Sequence, residues 1–391
     1  MDVVPRLARR WKVDRVVAHR WSEPFGRVRD ERVAGALDVP FELFEGETLA
    51  APGAVLNGTG GAYSVFTPFA RALRERVAIG SPLPRPRRIP PVPDDVTLPR
   101  TKLPSLGALG IEENGSILEG GEAAARRRLT RFLRTHGATY DKDRDRLDLD
   151  ATSRLSADLK FGTLSIRTVW NAAHDALARA HPAAWRSFST ERIWRDFTHD
   201  VVRHRPGVLD GPARPAWAAF PWENDAVGGE AWVRGTTGYP VIDASARQLL
   251  AEGFVPNRAR MISASFLTKD LLVDYRRGEA HYAAYLTDGD WAQNDFGWQW
   301  TAGCGFDAAP HFRVFNPVDQ ARRFDPTGAY VRRWVPEIAG LPDRFVHAPW
   351  TAPERALADA GIVLGRTYPE PIVDHAEARR RFLERAATLA R

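Results

Sequence analysis

Apolar positions fall into three regimes along the chain. Before residue 80 they gather into two short β-branched and aromatic runs, Val13 to Ala18 and Val39 to Phe44, which predict strands. Two strands cannot make a covered parallel sheet, so residues 1–80 are expected to be a truncated α/β remnant that leans on the rest of the chain. Between 81 and 104, prolines at 82, 84, 86, 90, 91, 93, 99 and 104 displace the apolar pattern. Each fixes φ and removes a backbone donor, so an extended linker is expected there. From Gly120 onward the period becomes helical. Glu122 to His136 reads as a basic amphipathic helix, Tyr140 to Asp150 as a charge-rich loop, Phe188 to Val202 and Asn257 to Tyr275 as helices, and Pro369 to Arg391 as a tail ending in a basic helix. The expected fold class is mainly α, with a large helical domain over 105–391.

One stretch breaks the helical period. Asp288 to Trp300 packs carboxylates, amides, two glycines and three indoles together with almost no aliphatic residue. It does not suit an ordinary core helix. It reads either as a wet surface loop with exposed aromatics or as a binding pocket, whose polar groups orient a ligand and whose indoles supply flat contact area. Asn257, Arg260 and Met261 share a helix face at i, i+3 and i+4, which makes a poor core stripe and a good ligand wall. A buried Arg260 needs a carboxylate, and Asp288 or Asp290 could supply it. Hydroxyls at Thr152, Ser153 and Ser156 stand at a helix start, where they either cap it or hold a phosphate. Glu191, Trp194, Arg195 and Thr198 lie on one face of their helix, as an ordinary amphipathic face or as a cavity wall.

Composition narrows the choice. With 391 residues and 44% hydrophobic content the chain is long enough for two domains and a large core. A single cysteine, Cys304, excludes a disulfide framework, and the start shows no apolar signal region; a cytoplasmic protein is expected, with no membrane span. The net charge of +6 favours polyanionic partners, and thirteen tryptophans suit stacking on bases as well as burial. No hydrolytic triad, Cys/His pair or phosphate-cradling glycine loop stands out, and His199 with His204 are spaced i, i+5, which is poor for a metal. No metal is expected.

Six words, in this order, resemble the photolyase/cryptochrome family: Thr237 to Asp243, Asn257 to Met261, Ser265 to Leu272, Asp288-Gly-Asp290, Gly297 to Trp300 and Phe315 to Pro317. The resemblance runs from about His19 to the end of the chain and is most like a cyclobutane pyrimidine dimer DNA photolyase. Residues 1–80 look like a shortened, Rossmann-like antenna lobe, with Val65 to Phe69 as its exit segment.

The resemblance implies FAD held inside the helical domain and active in its reduced, anionic form. Its contacts would be Tyr140, Arg144, Thr152, Ser153, Arg154, Leu155, Ser156, Phe188 (where relatives often carry Trp), Glu191, Asn257, Arg260, Asp288, Asp290 and Asn294. In that match Asn294 lies near the reactive flavin nitrogen N5, Asp290 near the ribityl side, and Arg260 pairs with Asp288. The implied catalytic set is Glu191, Trp194, Met261, Asn294, Trp298 and Trp300, with the dimer flipped out of damaged DNA. Trp194 and Trp300 would embrace it, and Arg195, Arg258 and Lys269 would hold DNA, although any of these cations could equally be a solvated charge. Trp298, Tyr275 and Trp222 match the family's aromatic electron route. Tyr275 replaces the usual middle Trp, so the route is expected to slow or to divert through Trp232. No antenna chromophore is expected, since His19 to Phe25 departs from the family's pocket motif. A monomer is expected. Two rivals remain: a cryptochrome-like blue-light signalling flavoprotein, and a DNA- or RNA-binding flavoprotein without repair.

Overall fold

The chain is described from a computed structural model. It covers residues 3–390 except 85, 99–101, 309, 311 and 312. Pro99 of the linker therefore lies outside the described residues.

The N-terminal part is α1 (Val3–Trp11), β1 (Val16–His19), α2 (Pro24–Gly35), β2 (Phe41–Phe44) and α3 (Phe66–Arg76). The two strands are parallel, in register from Val16 opposite Phe41 to His19 opposite Phe44. Each is shorter than the sequence suggests, because only the C-terminal part of each apolar run finds a partner. Residues 81–98, apart from the undescribed 85, hold no helix or strand.

The helical part follows as α4 (Glu122–Thr135), α5 (Tyr140–Asp143), α6 (Ser156–Phe161), α7 (Ile166–Leu177), α8 (Pro182–His204), α9 (Ala226–Arg234), α10 (Pro240–Glu252), α11 (Asn257–Ser265), α12 (Tyr275–Tyr285), α13 (Trp291–Ala302), α14 (Pro317–Phe324), α15 (Ala329–Trp334), α16 (Asp343–Val346), α17 (Glu354–Asp359) and α18 (His375–Ala387). Three departures from the sequence reading matter. The expected loop at Tyr140 opens with the short helix α5. The run from Asn257 breaks after Ser265 into a single π-helical turn, Phe266–Asp270. The stretch after Asp290 is a helix, α13. Asp290 caps its start by accepting the Gln293 N–H at 3.1 Å, and Gly303 ends it in the left-handed region at φ 98°. Its buried face is half polar, because Gln299 donates to Asp295 at 2.9 Å where a core helix would carry aliphatics.

The N-terminal part does lean on the helical part. Phe66, Phe69 and Leu73 of α3 pack with Ile193 and Phe197 of α8 and with Ala292 and Phe296 of α13 in one apolar cluster. A polar seam on α8 grips the loop after β2. Asp196 accepts the N–H groups of Leu49 and Ala50 at 3.0 and 2.9 Å, Asp200 accepts that of Gly53 at 2.7 Å, and Arg195 Nε donates to the Glu47 carbonyl at 3.2 Å. Burial, opposed by those two N–H groups, pushes the Asp196 carboxyl up to about 7.

The word Thr237 to Asp243 proves to be scaffold. Asp243 accepts the Thr237 N–H, the Thr237 hydroxyl and the Tyr368 hydroxyl, each at 2.7 Å. Gly238 sits at φ 79°, where a Cβ would stand 2.3 Å from the Glu370 carbonyl oxygen, so only glycine fits.

Candidate active site

A cavity of about 300 Å³ opens between the segment before α6, α8, α11 and α13. Thr152, Ser153, Arg154, Leu155 and Ser156 form one wall, with Tyr140 beside them. Asn257, Arg260 and Met261 line a second wall, sharing the α11 face as their spacing implies. Asp288, Asp290, Asn294 and Trp298 line the third, and Glu191 and Arg195 of α8 complete the enclosure.

The charges are ordered in pairs. Arg260 Nη2 meets both oxygens of Asp288, at 2.8 and 3.1 Å, while its Nε donates to the Val255 carbonyl at 2.7 Å. Asp288 is thus the partner that Arg260 requires. Asp290 accepts from Arg195 at 2.8 Å and lies 3.2 Å from His199 Nε2. Burial alone would raise its carboxyl, but His199 and Arg195 outweigh burial and hold it well below the usual carboxylate range. Asn294 donates to the Glu279 carbonyl at 3.0 Å, which fixes its amide at the cavity wall. Arg144 stands just outside the lining and pairs with Glu191. Burial draws its guanidinium down, but Glu191 and Tyr140 more than restore it. Arg154 adopts φ 49°, rare for a residue with a side chain, and its guanidinium reaches Glu252 at 2.7 Å. Strain of this kind concentrates where a segment is shaped for a ligand.

Several expected site residues take other places. Phe188 is fully buried behind the wall, packed on Phe132 and Tyr140, and does not reach the cavity. Lys269 is 1% exposed, and its Nζ donates to the Arg313 carbonyl at 2.9 Å; burial lowers it to about 8, so it is no surface grip for DNA. Arg195 is buried in the Asp290 pair and faces the cavity, and Arg258 is held by Asp145 at 2.7 Å over the Phe324 ring. Lys269 and Arg195 lack the solvent exposure that phosphate contacts need, whereas Arg258 is partly exposed. Trp194 and Trp300 are not part of the cavity lining; they pack, partly buried, against the cluster that contains Phe66, Phe197 and Phe296. The Trp298 ring lies 5.1 Å from Tyr282 and 6.0 Å from Trp232, whereas Tyr275 makes no ring contact among the described residues. Trp222 packs on Phe220 at 4.3 Å.

The sequence reading gave no site role to Gly297, Phe66, His199, Glu279 or Asp295. Gly297 lines the cavity with nothing within 4 Å of the place a Cβ would take. Asp295 and Glu279 are carboxyls raised by burial, to about 8 and about 7, with Glu279 pushing Asp295 further. Gly297 stood inside a quoted word and needed only the helical period to aim it. The others come together through distant segments that no spacing reveals.

The residues present fit a bound flavin nucleotide. Arg195 and Arg260 bring positive charge to the lining; hydroxyls stand along one wall; and Gly297 leaves room for a flat ring.

The fold and site define an FAD-binding domain. Residues 188–388 match the model described as the FAD binding domain of DNA photolyase, and residues 1–89 match the DNA photolyase model. The chain is 39% identical to the deoxyribodipyrimidine photo-lyase of a Synechococcus species, over 97% of this chain and 79% of the relative. Its fold is similar to that of a class III photolyase from Agrobacterium tumefaciens, with TM-score 0.91, 36% identity, and coverage of 99% of this chain and 82% of the other. It is also similar to a Synechocystis cryptochrome, with TM-score 0.88, 27% identity, and coverage of 98% and 81%. The chain belongs to the DNA photolyase family.

Proposed function

We propose that this protein repairs cyclobutane pyrimidine dimers in DNA, driven by light. The observation that carries this reading is a cavity fit for FAD whose lining includes Glu191 and Met261, with Trp194 one helical turn beyond Glu191 and Trp300 two residues beyond the lining Trp298. Bound FAD, in its reduced and anionic form, supplies the light-excited electron. The chain's own residues do the rest. Thr152 to Ser156 would hold the diphosphate, and Arg260, fixed by Asp288, would bring positive charge to an anionic ring. Asn294 stays aimed because Glu279 holds its amide. Trp194 and Trp300 offer flat surfaces to bases taken out of the stack, at a low unstacking penalty for a lesion already distorted. Glu191, oriented by Arg144, presents a carboxyl to the polar edge of the dimer.

DNA phosphates are then gripped by cations other than the buried Lys269 and Arg195. No helix among the described residues is long and apolar enough to cross a membrane. The N-terminal lobe binds no second chromophore in this reading. Its support is that His19 to Phe25 departs from the family's pocket motif, with Trp21 there taken up by Arg29 and Lys160, at 5.1 and 5.5 Å from its ring. A light-signalling role is the second reading, favoured by the likeness to the Synechocystis cryptochrome. The test is UV-damaged plasmid incubated with FAD-loaded protein. Light-dependent recovery of transforming activity supports repair, and its absence favours the signalling reading.

A further inference from the structure

Between α8, α13 and the N-terminal part lies a buried group of charges that the repair chemistry does not use. His199 of α8 stands at its centre and is fully buried. Its Nδ1 is 3.3 Å from the Ser22 hydroxyl and 3.5 Å from Glu47, and its Nε2 is 3.2 Å from Asp290. Glu23, just before α2, is 3% exposed, and neither of its carboxylate oxygens has a hydrogen-bond partner; Lys160 of α6 stands 3.8 Å away. Arg195 reaches Asp290 at 2.8 Å and Glu47 at 3.8 Å. Asp196 on α8 also faces the group, and Asp200, one turn further on, holds Gly53.

The charges decide what His199 must be. Glu23, Glu47 and Asp290 are three anions, set against Arg195 and Lys160. With all three carboxyls ionised, charge balances only when the imidazole is protonated; burial, helped by Glu47, raises the Glu23 carboxyl, and burial raises Asp196 to about 7, so the demand on His199 is strongest where these carboxyls are ionised. Buried ions without compensation are costly, so the missing positive charge matters more here than at a surface. We propose that His199 is a positioning residue which, as an imidazolium, ties the N-terminal lobe to Asp290 and so sets the FAD-binding wall. Asp290 connects the two, since its other oxygen caps α13, the helix that carries Asn294 and Trp298. In consequence, the cavity keeps its shape only while the lobe is docked through Ser22 and Glu47. Burial pulls the imidazolium down, but Asp290 and Glu47 outweigh burial and hold it above its ordinary 6.5.

The inference rests on FAD occupying the cavity, and its test separates the two. Apoprotein is titrated with FAD across pH, with flavin fluorescence quenching as the readout and limited proteolysis of the loop at 47–53 reporting lobe docking. In the wild type, affinity holds through neutral pH and falls as His199 loses its proton at higher pH. His199→Asn is expected to weaken FAD binding at pH 7 by about tenfold, to speed cleavage of the loop, and to flatten the pH profile. His199→Asn with Glu47→Gln restores the charge balance and is expected to recover affinity to within about threefold of the wild type. Should the single variant not fold, the double variant decides alone: a folded, FAD-binding protein supports the inference, and equal failure overturns it. A single variant with wild-type affinity and pH profile, or a double variant no better than the single, also overturns it. A wild type that takes up no FAD at any pH removes the underlying reading and this inference with it.

Discussion

Phe66 lies flat on Trp194, with ring centroids 3.6 Å apart and planes 5° from parallel. Phe66 comes from the start of α3, in the exit segment of the N-terminal part, and Trp194 from α8, one turn beyond Glu191. Phe197 and Phe296 hold the indole from the side, at 5.8 Å each. One face of Trp194 is therefore covered by a ring that fixes its tilt, and stacking is the contact through which Trp194 would read a flipped base.

Phe66→Leu keeps an apolar side chain with most of the volume and removes the flat support. Affinity for dimer-containing DNA is expected to fall severalfold while affinity for undamaged DNA stays unchanged. Phe66→Ala should in addition lower stability by roughly 3–5 kcal/mol, as large-to-small changes in a packed cluster do. Binding isotherms on the two DNAs and a denaturant melt check both.

Glu191→Ala is expected to lower repair yield severalfold at saturating lesion while leaving DNA affinity close to wild type. The carboxyl makes one charge-assisted contact, and its loss leaves Arg144 with Ser187 and Asp145 as polar neighbours. Glu191→Gln, which keeps the shape, should fall between the two. An unchanged yield in Glu191→Ala would remove this residue from the chemistry.

Lys269→Met separates a buried cation from a DNA contact. Affinity for DNA and its steep salt dependence should match the wild type, because Nζ is engaged by the Arg313 carbonyl. Stability should differ in a defined pH window. The native Lys269 releases its proton near 8 and the unfolded one near 10.5, so between those values the unfolded state binds more protons and wild-type stability rises with pH. The variant should lack that rise, worth on the order of 3 kcal/mol over the window. Melts of both proteins at pH 7.5 and 10 measure it.

Trp298→Phe should abolish most light-driven reduction of bound FAD and spare repair once FAD has been reduced chemically. The ring contacts favour Trp232 over Tyr275 as the next position, so Trp232→Phe should slow photoreduction more than Tyr275→Phe does. The Tyr275 hydroxyl is buried without a partner, which leaves its proton nowhere to go on oxidation. Transient absorption on the three variants ranks them, and a larger loss in Tyr275→Phe would restore the expected route.

Much of the site was legible because family words place side chains by helical spacing. Asn257, Arg260 and Met261 share a wall, and Arg260 meets Asp288. Helix α13 was not legible, since Asp295 and Gln299 satisfy each other inside the protein where the helical signal demands aliphatics. Lys269, Arg195 and Arg258 read as surface cations because their partners lie far away in sequence, 95 residues for Arg195 with Asp290. His199 was weighed only as half of a poor metal pair with His204, because its neighbours Ser22 and Asp290 are 177 and 91 residues distant. Spacing shows which residues share a face, but not which buried charges will neutralise one another.

The central claim is that one cavity joins FAD to a lesion wall for light-driven repair. The direct measurement is a single-stranded oligonucleotide carrying one thymine dimer, mixed with protein whose FAD has been chemically reduced, and followed by chromatography in blue light and in darkness. The account predicts restoration of the intact oligonucleotide with multiple turnovers in light and none in the dark. Protein that holds FAD and binds the oligonucleotide, yet leaves the dimer intact under light, would contradict it.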